Sequence, residues 1–147
     1  MNQSEQKDIS ILSVHKFTDP KGLGFKATVQ KASKGDFLEE AREIIGCSTL
    51  AQFPFQYKGT RFMVWFDGEI PDRPERPLPS LLVGELGVDE TCILVFGDYI
   101  ITRTDVEHDV VGIEPSDEEN LREYTIVRSH TAVLGMKLGL FRRKKSA

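Results

Sequence analysis

"TCILVFGDYIITRT" (91–104) decides the fold. It is dense in β-branched and aromatic residues, the composition of strands. Gly97-Asp98 interrupts it, either as a bulge or as a tight turn dividing two strands. Upstream, "STLAQFPFQY" (48–57) and "TRFMVWF" (60–66) are two more strands, joined through Lys58-Gly59. Pro54 has no N–H to give a ladder, so 48–57 is an edge strand or carries a bulge. Further back, "DISILSVHKF" (8–17) sets Ile9, Ile11 and Phe17 among polar residues, and "FKATVQKA" (25–32) alternates again. The Pro and two glycines of "TDPKGLG" (18–24) are turn chemistry, so these two segments are expected to form a hairpin.

Two helices interrupt the strands. In the first, Asp36 is the expected N-cap, with Glu39 closing a capping box. Phe37, Leu38, Ala41, Ile44 and Ile45 form its apolar face, and Gly46 ends it. In the second, "SDEENLREYTIV" (116–127), Ser116 is the expected cap with Glu119 three residues on, and acids fill the first turn, where the helix dipole favours them. "SLLVGELG" (80–87) reads as a short helix capped by Ser80, with a strand as the alternative. The order predicts a single α+β domain with a mostly antiparallel sheet and two or three helices. Its expected limits are a loose tail at 1–7, the domain at 8–127 and a C-terminal extension with a basic tail at 128–147.

The 147 residues suffice for one domain with a proper core. Net charge is −4, so there is no global basic field, and direct nucleic-acid binding is not expected. No apolar run approaches the roughly 18 residues of a membrane span. The polar start "MNQSEQKDIS" lacks a signal peptide's apolar region. Cys47 and Cys92 lie in apolar surroundings, as free thiols of a reducing compartment do. Together these features predict a cytoplasmic protein.

The usual catalytic constellations are missing from the sequence. His15, His108 and His130 are not at metal-ligand spacing with another His or Cys. Asp105, Glu107, His108 and Asp109 cluster locally, but as a solvated loop. "KGLGF" (21–25) lacks the strand-to-helix setting of a phosphate loop, and no serine lies on a nucleophile elbow. No metal, cofactor or enzymatic activity is expected.

Two charged regions are the candidate sites. "WFDGEIPDRPERPLPS" (65–80) turns at Asp67-Gly68, a two-residue hairpin signal, and then enters a stretch stiffened by Pro71, Pro74, Pro77 and Pro79. Arg73 and Arg76, three apart, suit a phosphate or carboxylate. Arg61, Trp65 and Arg103 are the expected neighbours on adjoining strands. The second region, Thr104 to Glu123, holds eight acids against one base, Arg122. Asp105, Glu107, Asp109, Asp117, Glu118 and Glu119 could there mimic a phosphate backbone, or simply solvate a helix start. From Arg128 onward there are six bases and no acid.

Four pieces of the chain, "DFLEEAREIIG" (36–46), "MVWFDGEI" (63–70), "PDRPERPLPS" (71–80) and "ILVFGDYIITR" (93–103), form a pattern. Over about residues 27–103 it resembles a domain of unknown function, number 3846, of phages and mobile elements. The N-terminal hairpin and C-terminal extension depart from that pattern. The resemblance implies a small phage-type accessory protein, with counter-defence as a possible role, and carries no active site to transfer. The expected function is binding, either of a host protein or of a small anionic ligand such as a signalling nucleotide. The alternatives are an acidic nucleic-acid mimic that inhibits a DNA-binding host protein, and an uncharacterised enzyme. The apolar "AVLGMKLGLF" (132–141) and the edge strand at Pro54 predict a homo-oligomer, a dimer.

Overall fold

The computed structural model describes residues 8–19, 22–69, 79–83, 93–107 and 109–137. Eight strands and two helices follow in the order β1 (Asp8–Asp19), β2 (Gly22–Ser33), α1 (Phe37–Ile45), β3 (Leu50–Tyr57), β4 (Thr60–Asp67), β5 (Pro79–Val83), β6 (Ile93–Phe96), β7 (Tyr99–Thr104), β8 (Val110–Val111) and α2 (Pro115–Lys137). The chain is an α+β domain, and every strand pairing is antiparallel. The main sheet runs β2-β1-β7-β4-β3, with β8 paired to β7; β5 and β6 form a second, two-stranded sheet.

Gly97-Asp98 is a division, not a bulge. Gly97 takes a left-handed φ of 78°, and the strands on either side of it enter different sheets. Pro54 lies on an edge strand, where its missing N–H costs no ladder bond. Lys58 and Gly59 both have positive φ, 49° and 81°, the two-residue turn that suits a right-twisted hairpin.

Alternation sorts the side chains onto two faces. On one, Ile9, Ile11, Met63, Trp65 and Ile100 pack against Phe37 and Ala41 of α1. The Phe37 and Trp65 rings meet edge to face at 5.0 Å. On the other, Leu12, Val14, Phe62, Val64, Tyr99 and Ile101 pack against β5, β6 and α2. The first half of α2 lies on the main sheet, where Tyr124 stacks on Phe55 at 4.8 Å. The second half lies against β5, where Arg128 donates from Nε to the Leu82 carbonyl at 2.9 Å.

Several expectations are corrected. Residues 80–83 form a strand, not a helix; 84–87 lie outside the described residues. All five residues of β5 are buried, because the small sheet is covered on both sides, and such a run has neither helical nor alternating polarity. Asp67-Gly68 is not a hairpin turn. Strand β4 already has β3 and β7 as neighbours, so the chain must leave the sheet. Asp67 Oδ1 instead accepts the Glu69 N–H at 2.9 Å, and a Cβ on Gly68 would press the Ala51 Cβ at 3.2 Å. The Asp36–Glu39 capping box does not form: Asp36 makes no side-chain cap bond, and Glu40 reaches back to the Ser33 N–H at 3.0 Å. Leu38, expected on the apolar face of α1, is half exposed. Gly46 does end α1 in the left-handed conformation. Helix α2 starts one residue before the expected Ser116 and runs ten residues past Val127, through the expected boundary at 128. The tail at 1–7 and the basic run at 142–145 lie outside the described residues.

Candidate functional site

Helix α2 is apolar on two sides, and among the described residues only one of them is covered. Its inner side carries Leu121, Tyr124, Thr125, Ser129 and Ala132, all buried. At 100° per residue, Ile126, Val127, His130, Val133 and Leu134 fall together on another side. Ile126, Val127 and Leu134 are 61%, 56% and 59% exposed. Large aliphatic side chains rarely gather on open helix surface without a partner. The same stripe continues towards the N-terminus as Glu119 and Glu123.

The helix is pinned at its start. Pro115 takes the first helical position, where a missing N–H costs nothing. Asp117 Oδ2 accepts the Glu114 N–H at 2.8 Å, so the capping bond sits two residues earlier than the sequence suggests. The same carboxylate accepts two bonds from Arg103, 2.6 Å from Nε and 3.2 Å from Nη2. That hydrogen-bonded contact is the main cause raising the Arg103 pKa further. A second anchor joins the β3–β4 turn to the helix: Tyr57 donates to Glu123 at 2.6 Å, and Lys58 Nζ lies 3.4 Å from the same carboxylate. The Tyr57 bond, then Lys58, holds the Glu123 pKa below its ordinary value. The rigid helix therefore presents its outer stripe in a fixed direction.

The residues expected to form an anion site do not converge among the described residues. Arg73 and Arg76 lie outside them. Arg61 is exposed on β4. Trp65 is buried beneath α1, its Nε1 donating to Thr102 at 3.0 Å. Arg103 pairs across the ladder with Phe62, so it emerges on the opposite face from Trp65 and is held by Asp117.

The six expected mimic acids are likewise divided. Asp117 is buried under Arg103, and Glu118 bridges Arg122 at 3.0 Å within the helix. Glu119 is exposed. The Asp105, Glu107 and Asp109 oxygens lie within 4.8 Å of one another, but Asp105 Oδ1 is occupied as a turn-former, accepting the Glu107 and Asp109 N–H groups. His108 lies outside the described residues.

One pairing escapes sequence reasoning altogether. His15 Nδ1 lies 2.9 Å from Asp98 Oδ2, and the other Asp98 oxygen accepts the Lys16 N–H. This pair ties the β6–β7 junction to β1. Eighty-three residues separate its members, and only the β1–β7 pairing, which nothing in the local sequence announces, brings them together. No helix among the described residues is long and apolar enough to cross a membrane. No protein-family model matches the chain, and comparison with curated proteins and with solved structures likewise finds no match.

Proposed function

We propose that this chain is a small phage-type accessory protein that acts by protein contact, its working surface the outer face of α2. The observation that carries this is the exposure of Ile126, Val127 and Leu134 side by side on a helix anchored at its start. Burying such a stripe against a partner is favourable by roughly 25 cal/mol per Å² of apolar surface removed from water. The phage-type setting rests on the motifs at 36–46, 63–80 and 93–103, and within it a host protein is the eventual target. The two charge-based alternatives each lose a member to the other: Arg103 and Asp117 neutralise one another inside the fold.

The test is a photo-crosslinking residue placed at Val127 in the full chain, with Gln56, exposed on the far face of β3, as control. Position 127 should give a discrete protein adduct in cells and position 56 none. Absence of any adduct from 127 would overturn the assignment.

A further inference from the structure

We propose that the outer edge of β2 receives an extended acidic peptide, which adds to the main sheet as a further strand beside Val29 and Lys31. This site is separate from the outer face of α2 and does not rest on it.

Hydrogen bonding shows which backbone groups of the edge are open. Strand β2 ends the main sheet, with β1 as its one neighbour among the described residues. Along a strand, the N–H and C=O of each residue point to one side and those of the next residue to the other. Two bonds set the phase. Arg122 Nη1 donates to the Ala27 carbonyl at 2.9 Å, and the Ser33 N–H donates to Glu40 Oε1 at 3.0 Å, so both groups face away from β1. Val29 and Lys31, in step with Ala27 and Ser33, face away as well. Their cross-strand neighbours agree. Val29 lies opposite Leu12, within the stretch of β1 that pairs with β7. Lys31 lies opposite Ser10, whose carbonyl accepts the Ile113 N–H at 2.9 Å. The two helices thus each close one outward group of β2. Between those closures the N–H and C=O groups of Val29 and Lys31 meet no partner among the described residues.

The opposite edge of the sheet is blunted. Pro54 sits within β3, its ring standing where an N–H would meet an added strand. No proline interrupts β2. Charge then selects the occupant. Lys26, Lys31 and Lys34 are exposed along the β2 edge, and no acid occurs from Gly22 to Gly35. Lys31 Nζ donates to Ser10 Oγ at 3.0 Å, which holds that cation beside the open groups. Glu40 and Glu118 are engaged, by the Ser33 N–H and by Arg122, and Asp8 lies across from Ser33, beyond the open groups. A second copy would bring the same three lysines to the seam, and like charges across paired strands are destabilising. An acidic strand brings the complementary charge. Phe25, Ala27 and Val29 pack partly buried against the layer formed by β5, β6 and α2. A peptide that alternates acidic and aliphatic residues would extend that layer with one face and meet Lys26 with the other. Main-chain bonds supply affinity in such strand addition, and the alternate side chains supply specificity.

The experiment uses the full, isotope-labelled chain and a capped heptapeptide of alternating Glu and Val, with its Lys–Val counterpart as control. Hydrogen exchange read by NMR should slow at the Val29 and Lys31 N–H groups when the Glu–Val peptide is added and stay unchanged with the Lys–Val peptide. Val29→Pro removes an outward N–H without taking a bond from the β1 ladder, and should abolish the response. If the proline variant fails to fold, the exposed pair Lys26→Glu with Lys31→Glu carries the test. It should weaken the Glu–Val peptide by about tenfold or more and turn the preference towards Lys–Val. No slowing at Val29 and Lys31, or equal binding of both peptides by the wild type, would overturn the proposal. So would slowing of the same groups on raising protein concentration without peptide, which would make the occupant a second copy. Ile126→Glu with Leu134→Glu should leave peptide binding intact. Loss of binding in that variant would move the peptide to α2 and overturn the edge site. Failure of the peptide to bind leaves the Val127 adduct, and the reading it tests, unaffected.

Discussion

Asp117 is only 3% exposed, and it faces the Arg103 guanidinium while also accepting the Glu114 N–H. Removing the carboxylate would leave the part-exposed Arg103 cation with Glu114, at 3.7 Å, as its remaining acid among the described residues, and would free a backbone donor at the helix start. Asp117→Ala should therefore destabilise the fold by about 2–3 kcal/mol, the cost of losing a hydrogen bond to a charged group together with a cap, as read from urea unfolding. A value near zero would mean that α2 is held by its apolar contacts alone. Tyr99 behaves in the opposite way. It is fully buried, its hydroxyl lacks a partner within hydrogen-bonding geometry among the described residues, and burial pushes its pKa well above the ordinary value, with Ser129 offsetting only part of that. A raised pKa in the folded state means stability that is complete below the unfolded value of about 10 and is lost as pH climbs beyond it. Tyr99→Phe should match or exceed the wild type at pH 7 by up to about 1 kcal/mol, and should lose less melting temperature between pH 7 and pH 11. An equal alkaline loss in both proteins would exonerate Tyr99. Neither role is legible in the sequence. "TRT" at 102–104 gives no sign that Arg103 meets an acid fourteen residues on, because that meeting depends on α2 folding back across the sheet.

At the scale of elements, the strands of the main sheet were legible and the connections between the sheets were not. Alternation survives in 8–17 and 25–32, while 60–66, buried on both faces from Phe62 to Trp65, is legible as a strand from its aromatic and apolar composition. Strand β5 has no such pattern, since Leu81, Leu82 and Val83 are all buried, and a short apolar run of that kind suits a helix equally well. Helix α2 was legible only as far as Val127, because apolar residues on two sides erase the single-faced periodicity beyond it. Strand β8 is too short to leave a signal, and its placement depends on Gly112. A Cβ there would stand 3.0 Å from the Ser10 nitrogen and 3.1 Å from the Ile9 Cβ, both parts of β1 that cannot swing aside. Gly112→Ala should cost about 1–3 kcal/mol through overpacking. It should also speed hydrogen exchange at the Ile113 N–H, which bonds the Ser10 carbonyl at 2.9 Å. Gly35, with nothing within 4 Å of its added Cβ, is the matched control and should tolerate alanine. Equal stability of the two variants would show that β8 is not clamped on β1.

At the scale of the molecule, α1 covers one side of the sheet and α2 with the small sheet covers the other, while Ile126, Val127 and Leu134 stay exposed on the outer face of α2. The charges beside that face predict how the proposed protein contact responds to salt. The aliphatic centre is insensitive to ionic strength, whereas Glu119 and Glu123 are screened over a Debye length of about 10 Å at 0.1 M and about 3 Å at 1 M. Raising sodium chloride from about 0.05 M to about 0.5 M should therefore change capture at Val127 only a few-fold, since exposed ion pairs each contribute about 0–1 kcal/mol. The aliphatic residues supply most of the affinity. For the same reason Ile126→Glu with Leu134→Glu should abolish capture at every salt concentration, while Glu119→Gln should change it little. The crosslinking yield at position 127 across a salt series reads the difference. If capture collapses as salt rises while the 126/134 variant still captures, charge and not the aliphatic stripe holds the partner, and the assignment of that face must be redrawn.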